Sequence, residues 1–183
     1  MWHVVSPEGR AMKTKWVLTY KYDQDYKIKR KARLVVCGYS QIKGIDYTDT
    51  YSPTTTTEVI FFMLHLCSVF EWYIHSFDVS AAFLEGDAET ILFARLPPGT
   101  LNDNKEPIRV QITGNWYGEK QAGRVWNKKL DKILKDLYFE RCPMMPCLYK
   151  SVHKKQVVYV IIHVDDGLIM STKCEIMDAF MQE

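Results

Sequence analysis

The segment Val157–Met170 leaves this chain few ways to fold. Two apolar runs rich in β-branched residues flank Asp165-Asp166-Gly167, and Asp-Gly between such runs signals a tight β-hairpin with the carboxylates at its tip. Adjacent carboxylates there repel each other and lose hydration if the site closes. A cation relieves both costs, so the triplet reads as part of a divalent-metal site for phosphoryl chemistry that needs a third carboxylate from elsewhere.

With 183 residues, 47% of them hydrophobic, the chain can build one sizeable domain or two small lobes. A formal net charge of +2 does not by itself announce a nucleic-acid binder, but the distribution says more. Arg10, Lys13, Lys15, Lys21, Lys27, Lys29, Arg30, Lys31, Arg33 and Lys43 crowd the N-terminal section against Glu8, Asp23 and Asp25. The next stretch is acidic, from Asp46 to Glu89. This order suits a polyanion cleft with a metal site at its floor; the plainer alternative is a solvated basic hairpin. Cys37, Cys67, Cys142, Cys147 and Cys174 form no CxxC pair, no secretory leader is visible and no apolar run is long enough to span a bilayer. The expectation is an intracellular protein with free thiols and no membrane partner.

Trp16–Tyr22 and Lys31–Cys37 read as strands of a basic hairpin turning at Asp23-Gln24-Asp25, and Gly44–Pro53 reads as loop. Thr57 is placed to cap a helix from Glu58 that is apolar nearly all round and therefore expected to be buried. A short strand from Ile74 ends on Asp78. Pro97-Pro98-Gly99 breaks the chain, with loop to Lys105. Between Ala122 and Phe139, Trp126, Leu130, Ile133, Leu134 and Leu137 recur at helical spacing, with lysines opposite. Helices on an antiparallel sheet give an α+β class.

Asp78 is the natural third carboxylate, at the end of an apolar strand and ahead of small residues that admit a substrate. If its strand lies beside the hairpin, three carboxylates can hold two Mg²⁺ ions roughly 3.5–4 Å apart, as in-line phosphoryl transfer uses. Lys31 and Arg33 can then clamp triphosphate oxygens. An Asp-Asp pair alone is most often a solvated turn. The surrounding blocks are more specific: Lys31-Ala-Arg-Leu-Val35, Gly44-Ile-Asp-Tyr47, Tyr51-Ser-Pro53, Phe77-Asp-Val79 with Ala82-Phe-Leu84, Leu96-Pro-Pro-Gly99, Tyr117-Gly118 with Lys120-Gln-Ala122 and Arg124-Val-Trp126, then Val164-Asp-Asp166.

In that order, and with Gly9-Arg10 and Lys15-Trp16-Val17 ahead of them, these blocks resemble the reverse transcriptase of copia-type LTR retrotransposons over nearly the whole chain. The resemblance implies a right-hand polymerase whose fingers include the hairpin at about 14–37 and whose palm runs from about 58 to 183. Such an enzyme copies an RNA or DNA template from a primer, using dNTPs and Mg²⁺ (Mn²⁺ as a substitute), in a cytoplasmic virus-like particle or the nucleus. It implies catalytic and metal-binding roles for Asp78, Asp165 and Asp166 and a metal-facing carbonyl at Val79. Phe83 matches the aromatic gate against a ribose 2′-hydroxyl, its plainer reading being a core phenylalanine. Lys31, Arg33 and Gln121 match nucleotide-binding positions, Gln121 reading otherwise as an ordinary residue at a helix start.

The chain also departs from the pattern. His163 stands where Tyr is usual and would position the primer. Glu119 replaces a Leu and Gly123 a Pro, which loosens a helix start. An Arg usual near Thr54–Thr57 and Phe61, and a basic residue usual at Cys37, are missing. The chain ends at Glu183, so the thumb, connection and RNase H are expected to be absent, or supplied by a longer polyprotein. Two alternatives remain open: a truncated or domesticated copy that only binds nucleic acid, and a nucleotidyl cyclase or phosphohydrolase on a similar sheet.

Overall fold

The computed structural model describes residues 2–4, 10–23, 25–102, 105–153, 156–175 and 177. Glu8, Gly9, Gln24 and Glu183, used in the sequence reading, lie outside them. In chain order the elements are β1 (Trp2–Val4), β2 (Met12–Tyr22), β3 (Ile28–Val36), α1 (Thr57–Val69), β4 (Tyr73–Asp78), β5 (Asp87–Arg95), β6 (Arg109–Gly114), α2 (Ala122–Asp136), β7 (Glu140–Arg141), β8 (Leu148–His153), β9 (Gln156–His163) and β10 (Asp166–Ser171). Short 3₁₀ turns cover Gly38–Ser40 and Ala82–Glu85. The mixture of strands and helices is the expected α+β class. It divides into two units, each discontinuous in sequence: Met1–Tyr51 with Phe83–Trp126, and Ser52–Ala82 with Asn127–Glu183.

The first unit is a five-stranded sheet in the order β1-β6-β5-β2-β3. Met12, Val36, Leu92, Ala94, Val110, Ile112 and Trp116 form its core. Strand β2 meets β5 only at Met12 and Lys13, whereas β2 and β3 pair all the way from Thr14↔Val36 to Tyr22↔Ile28. Most of the hairpin is therefore a two-stranded ribbon. Strand side chains alternate between faces, and directly opposed residues share one. The face that buries Met12 and Val36 at the base thus continues outward as Trp16, Leu18, Tyr20, Tyr22 and Ile28, of which Leu18 is 74% and Tyr20 72% exposed. The other face carries Lys15, Lys21, Lys29, Lys31 and Arg33. Arg10 anchors the following loop with a 2.6 Å ion pair to the buried Asp46.

The second unit is an antiparallel sheet, β4-β10-β9-β8-β7. Helix α1 covers one face, Met63 and Cys67 packing with Leu148, Ile161 and Met170. The sequence leads one to expect a buried helix, but Phe61, Phe62 and Val69 are exposed. A single helix on a sheet buries only the stripe that meets it, and here the apolar residues outnumber that stripe. Its cap is Thr56, one residue before the Thr expected to cap it. On the opposite face Tyr149, Val160, Ile162 and Ile169 are buried. Helix α2 lies over Tyr149, whose hydroxyl donates to Asp131 and receives Arg141. Partial burial opposes ionisation of Asp131, yet the Lys135 hydrogen bond, with Arg141 and Tyr149, holds its carboxyl below the usual range. The helical stripe reads correctly for Trp126, Leu130 and Leu134, while Ile133 is exposed. All five cysteines are free.

Candidate active site

The hairpin forms as the sequence predicts, with its turn two residues earlier than the Asp-Gly pair. The last pair is Asp166↔His163, so Val164 and Asp165 make the turn and Gly167 lies in the strand opposite Ile162. Val164 takes φ +63°. A β-branched residue in the left-handed region costs on the order of 1–3 kcal/mol and persists only where the surroundings enforce it. Both flanking strands do so through their ladders. Gly167 answers a different need: a Cβ there would sit 2.3 Å from the Phe77 ring of β4. The glycine that signals a turn is used for close packing.

That packing seats β4 against β10, and the register sets Asp78 directly opposite Asp166. Because Asp166 also faces His163 across β10 and β9, three side chains form a row on one face in the order His163, Asp166, Asp78. Directly opposed residues hold their Cβ atoms about 4.5–5.5 Å apart. Asp165 joins from the turn, its carbonyl accepting the Val79 N–H at 2.9 Å. The Val79 carbonyl accepts from the Ala82 N–H at 3.3 Å, which leaves its second lone pair. Asp78, Asp166 and His163 are exposed and Asp165 is half-buried. His163 thus reaches solvent. The donors are hard oxygens suited to Mg²⁺. Among the described residues, however, no three His, Cys, Asp or Glu side chains are gathered closely enough to hold a metal ion.

The remaining predicted residues belong to the first unit. Lys31 is exposed opposite Thr19, and Arg33 is half-buried opposite Val17, both on the basic face. Phe83 is half-buried in the 3₁₀ turn after Asp78, with Tyr117 edge-on to it at 5.6 Å between centroids. Gln121 is only 2% exposed. Its amide is engaged at both ends: the carbonyl accepts from Gln41 Nε2 at 2.9 Å, and its nitrogen donates to Glu119 at 3.0 Å. Glu119 also accepts the Trp116 N–H, and burial pushes its carboxyl up to about 7. Sequence reasoning marked Glu119 only as a departure, quoted Tyr117 only as part of a block, and passed over Gln41. Gly118 was the available signal, since glycines mark close backbone approach. Gly123, despite its propensity, lies inside α2.

A family model described as reverse transcriptase (RNA-dependent DNA polymerase) matches residues 1–183, and the chain belongs to that family. Its relatives make it a copia-type segment. It is 35% identical over 167 residues to the retrovirus-related Pol polyprotein from transposon TNT 1-94 of Nicotiana tabacum, covering 90% of this chain and 13% of the relative. Against the Pol polyproteins from transposons RE1 and RE2 of Arabidopsis thaliana it is 33% and 30% identical, covering 85% and 92% of this chain and 11% and 12% of those relatives. The chain thus spans about an eighth of the curated relatives it matches. No helix among the described residues is long and apolar enough to cross a membrane.

Proposed function

We propose that this chain is the fingers–palm portion of an RNA-directed DNA polymerase, transferring a nucleotidyl group from a dNTP to a primer 3′-hydroxyl by two-metal chemistry on an RNA or DNA template. The observation that carries the reading is the register of Asp78 on Asp166, with Asp165 tied to Val79. Asp78, Asp165, Asp166 and the Val79 carbonyl would hold Mg²⁺, or Mn²⁺ in its place. Bound there, the metal supplies Lewis-acid stabilisation of the charge that develops on the transferred phosphoryl group.

The chain's own residues supply the rest. Lys31 and Arg33 bind the triphosphate, Arg33 by its planar fork and Lys31 as a point charge. Phe83 excludes the ribose 2′-hydroxyl sterically. His163, beside Asp166, orients the primer terminus by a hydrogen bond where a phenol is usual. Gln121 serves the nucleotide site from within, by fixing the segment that carries Tyr117. A longer polyprotein would add the thumb and RNase H.

Primer extension with Mg²⁺ and with Mn²⁺ tests the reading, comparing the chain with Asp165→Asn. Incorporation that persists undiminished in the variant removes that carboxylate from the reaction. A second reading is favoured by the exposed basic face of the ribbon, which carries Lys15, Lys21, Lys29 and Lys31. In it, a catalytically silent copy only binds nucleic acid through the basic hairpin. It predicts salt-sensitive RNA binding with no nucleotide addition under either metal.

A further inference from the structure

The segment Trp116–Gln121 is fastened to its neighbours more tightly than a connecting loop requires. Gly118, at φ +91°, packs so that a Cβ would lie 2.2 Å from the Val36 carbonyl, and a Cβ on Gly38 would lie 2.0 Å from the Gly118 carbonyl. The Val36 N–H donates to the Tyr117 carbonyl at 2.8 Å. Beyond the glycine, Lys120 N–H donates to Gln41 Oε1 at 2.7 Å, and the buried Gln41–Gln121–Glu119 chain closes the far side. The backbone of Tyr117 is thereby pinned to the end of β3, the strand that carries Lys31 and Arg33. Its ring meets the half-buried Phe83 edge-on.

We propose that Tyr117 is a specificity-determining positioning residue: it braces the Phe83 ring and couples its placement to β3. The proposal rests on the polymerase reading, in which Phe83 is the sugar gate. A steric gate discriminates only as well as its ring is held. Phe83 sits on a four-residue 3₁₀ turn, which fixes its backbone less firmly than a sheet would. An edge-to-face contact limits the ring's excursions, and its loss lets the ring yield to a 2′-hydroxyl. The phenol oxygen plays no part in this role, so phenylalanine should serve as well as tyrosine.

The test compares the chain with Tyr117→Ala and Tyr117→Phe, reading the ratio of dNTP to rNTP incorporation in primer extension. Tyr117→Ala should lower that ratio by roughly threefold to tenfold, the scale of one edge-to-face ring contact, and Tyr117→Phe should keep it. Loss of dNTP and rNTP incorporation in equal proportion overturns the proposal, because a merely structural residue would act that way. Should the unmodified chain extend no primer, the polymerase reading fails, and the brace is decided separately. With 4-fluorophenylalanine at position 83, the ¹⁹F resonance should move in Tyr117→Ala and stay in Tyr117→Phe. A resonance unmoved by the alanine overturns the brace.

Discussion

Gly167 lies directly across from Phe77, and the ring occupies the space a side chain at 167 would need. The same contact holds β4 against β10, so the juxtaposition of Asp78 and Asp166 depends on a missing methyl group. Gly167→Ala should force the ring or the strand to shift and cost about 1–3 kcal/mol, the range for overpacking a filled site. Urea unfolding measures it. The double variant with Phe77→Ala should recover part of the loss, since the obstructing ring is then gone. A fully additive pair would mean that the two residues do not meet.

Asp78 and Asp166 are like charges placed directly opposite, an arrangement that destabilises a sheet. In chelator, Asp166→Asn should therefore be more stable than the parent, by about 0.2–1 kcal/mol. Added Mg²⁺ should raise the melting temperature of the parent and leave the variant nearly unmoved, because a ligand stabilises only the state that binds it. Equal stability in chelator would put the two carboxylates out of each other's reach.

Glu119 sets a pH dependence with a definite sign. Burial pushes its carboxyl up to about 7 from an ordinary value of 4.5, against the Trp116 N–H that favours the charged form. Stability linked to this group is therefore full below about pH 4.5 and falls as pH rises through about 7, by on the order of 3 kcal/mol. Glu119→Gln keeps the shape without the charge and retains one of the two accepted hydrogen bonds. Its stability relative to the parent should rise across that window and level off above it. A difference that stays flat from pH 4 to 8 would show that the carboxyl ionises freely.

In the reading in which the basic hairpin binds RNA, Lys31 contacts a backbone phosphate. Replacing it with alanine should lower the slope of log affinity against log salt for single-stranded RNA by about 0.7, the value of one neutralised phosphate. Leu18→Ala, on the opposite face of the ribbon, should leave that slope alone. Identical slopes for the parent and Lys31→Ala would remove Lys31 from the contact.

Much of this architecture was legible because it rests on local patterns. The basic hairpin, the strand ending on Asp78, helix α2 and the β9–β10 hairpin all announce themselves through period and turn residues. What stayed hidden depends on partners distant in sequence. The turn fell on Val164 and Asp165 because Phe77, some ninety residues earlier, claims the space above Gly167 and holds it in the ladder. The burial of Gln121 depends on Gln41, and no periodicity links them. Helix α1 misled because composition reports how apolar a segment is, not how much of it a neighbour covers.

The protruding ribbon has a consequence for how this segment can change over time. Its lysines occupy one parity of positions in β2 and β3, and its aromatic residues occupy the other. Point substitutions can tune either surface alone, but an insertion or deletion of a single residue would exchange them. Drift in this region should thus accumulate as replacements at fixed length, with length changes confined to the tip around Asp23–Tyr26.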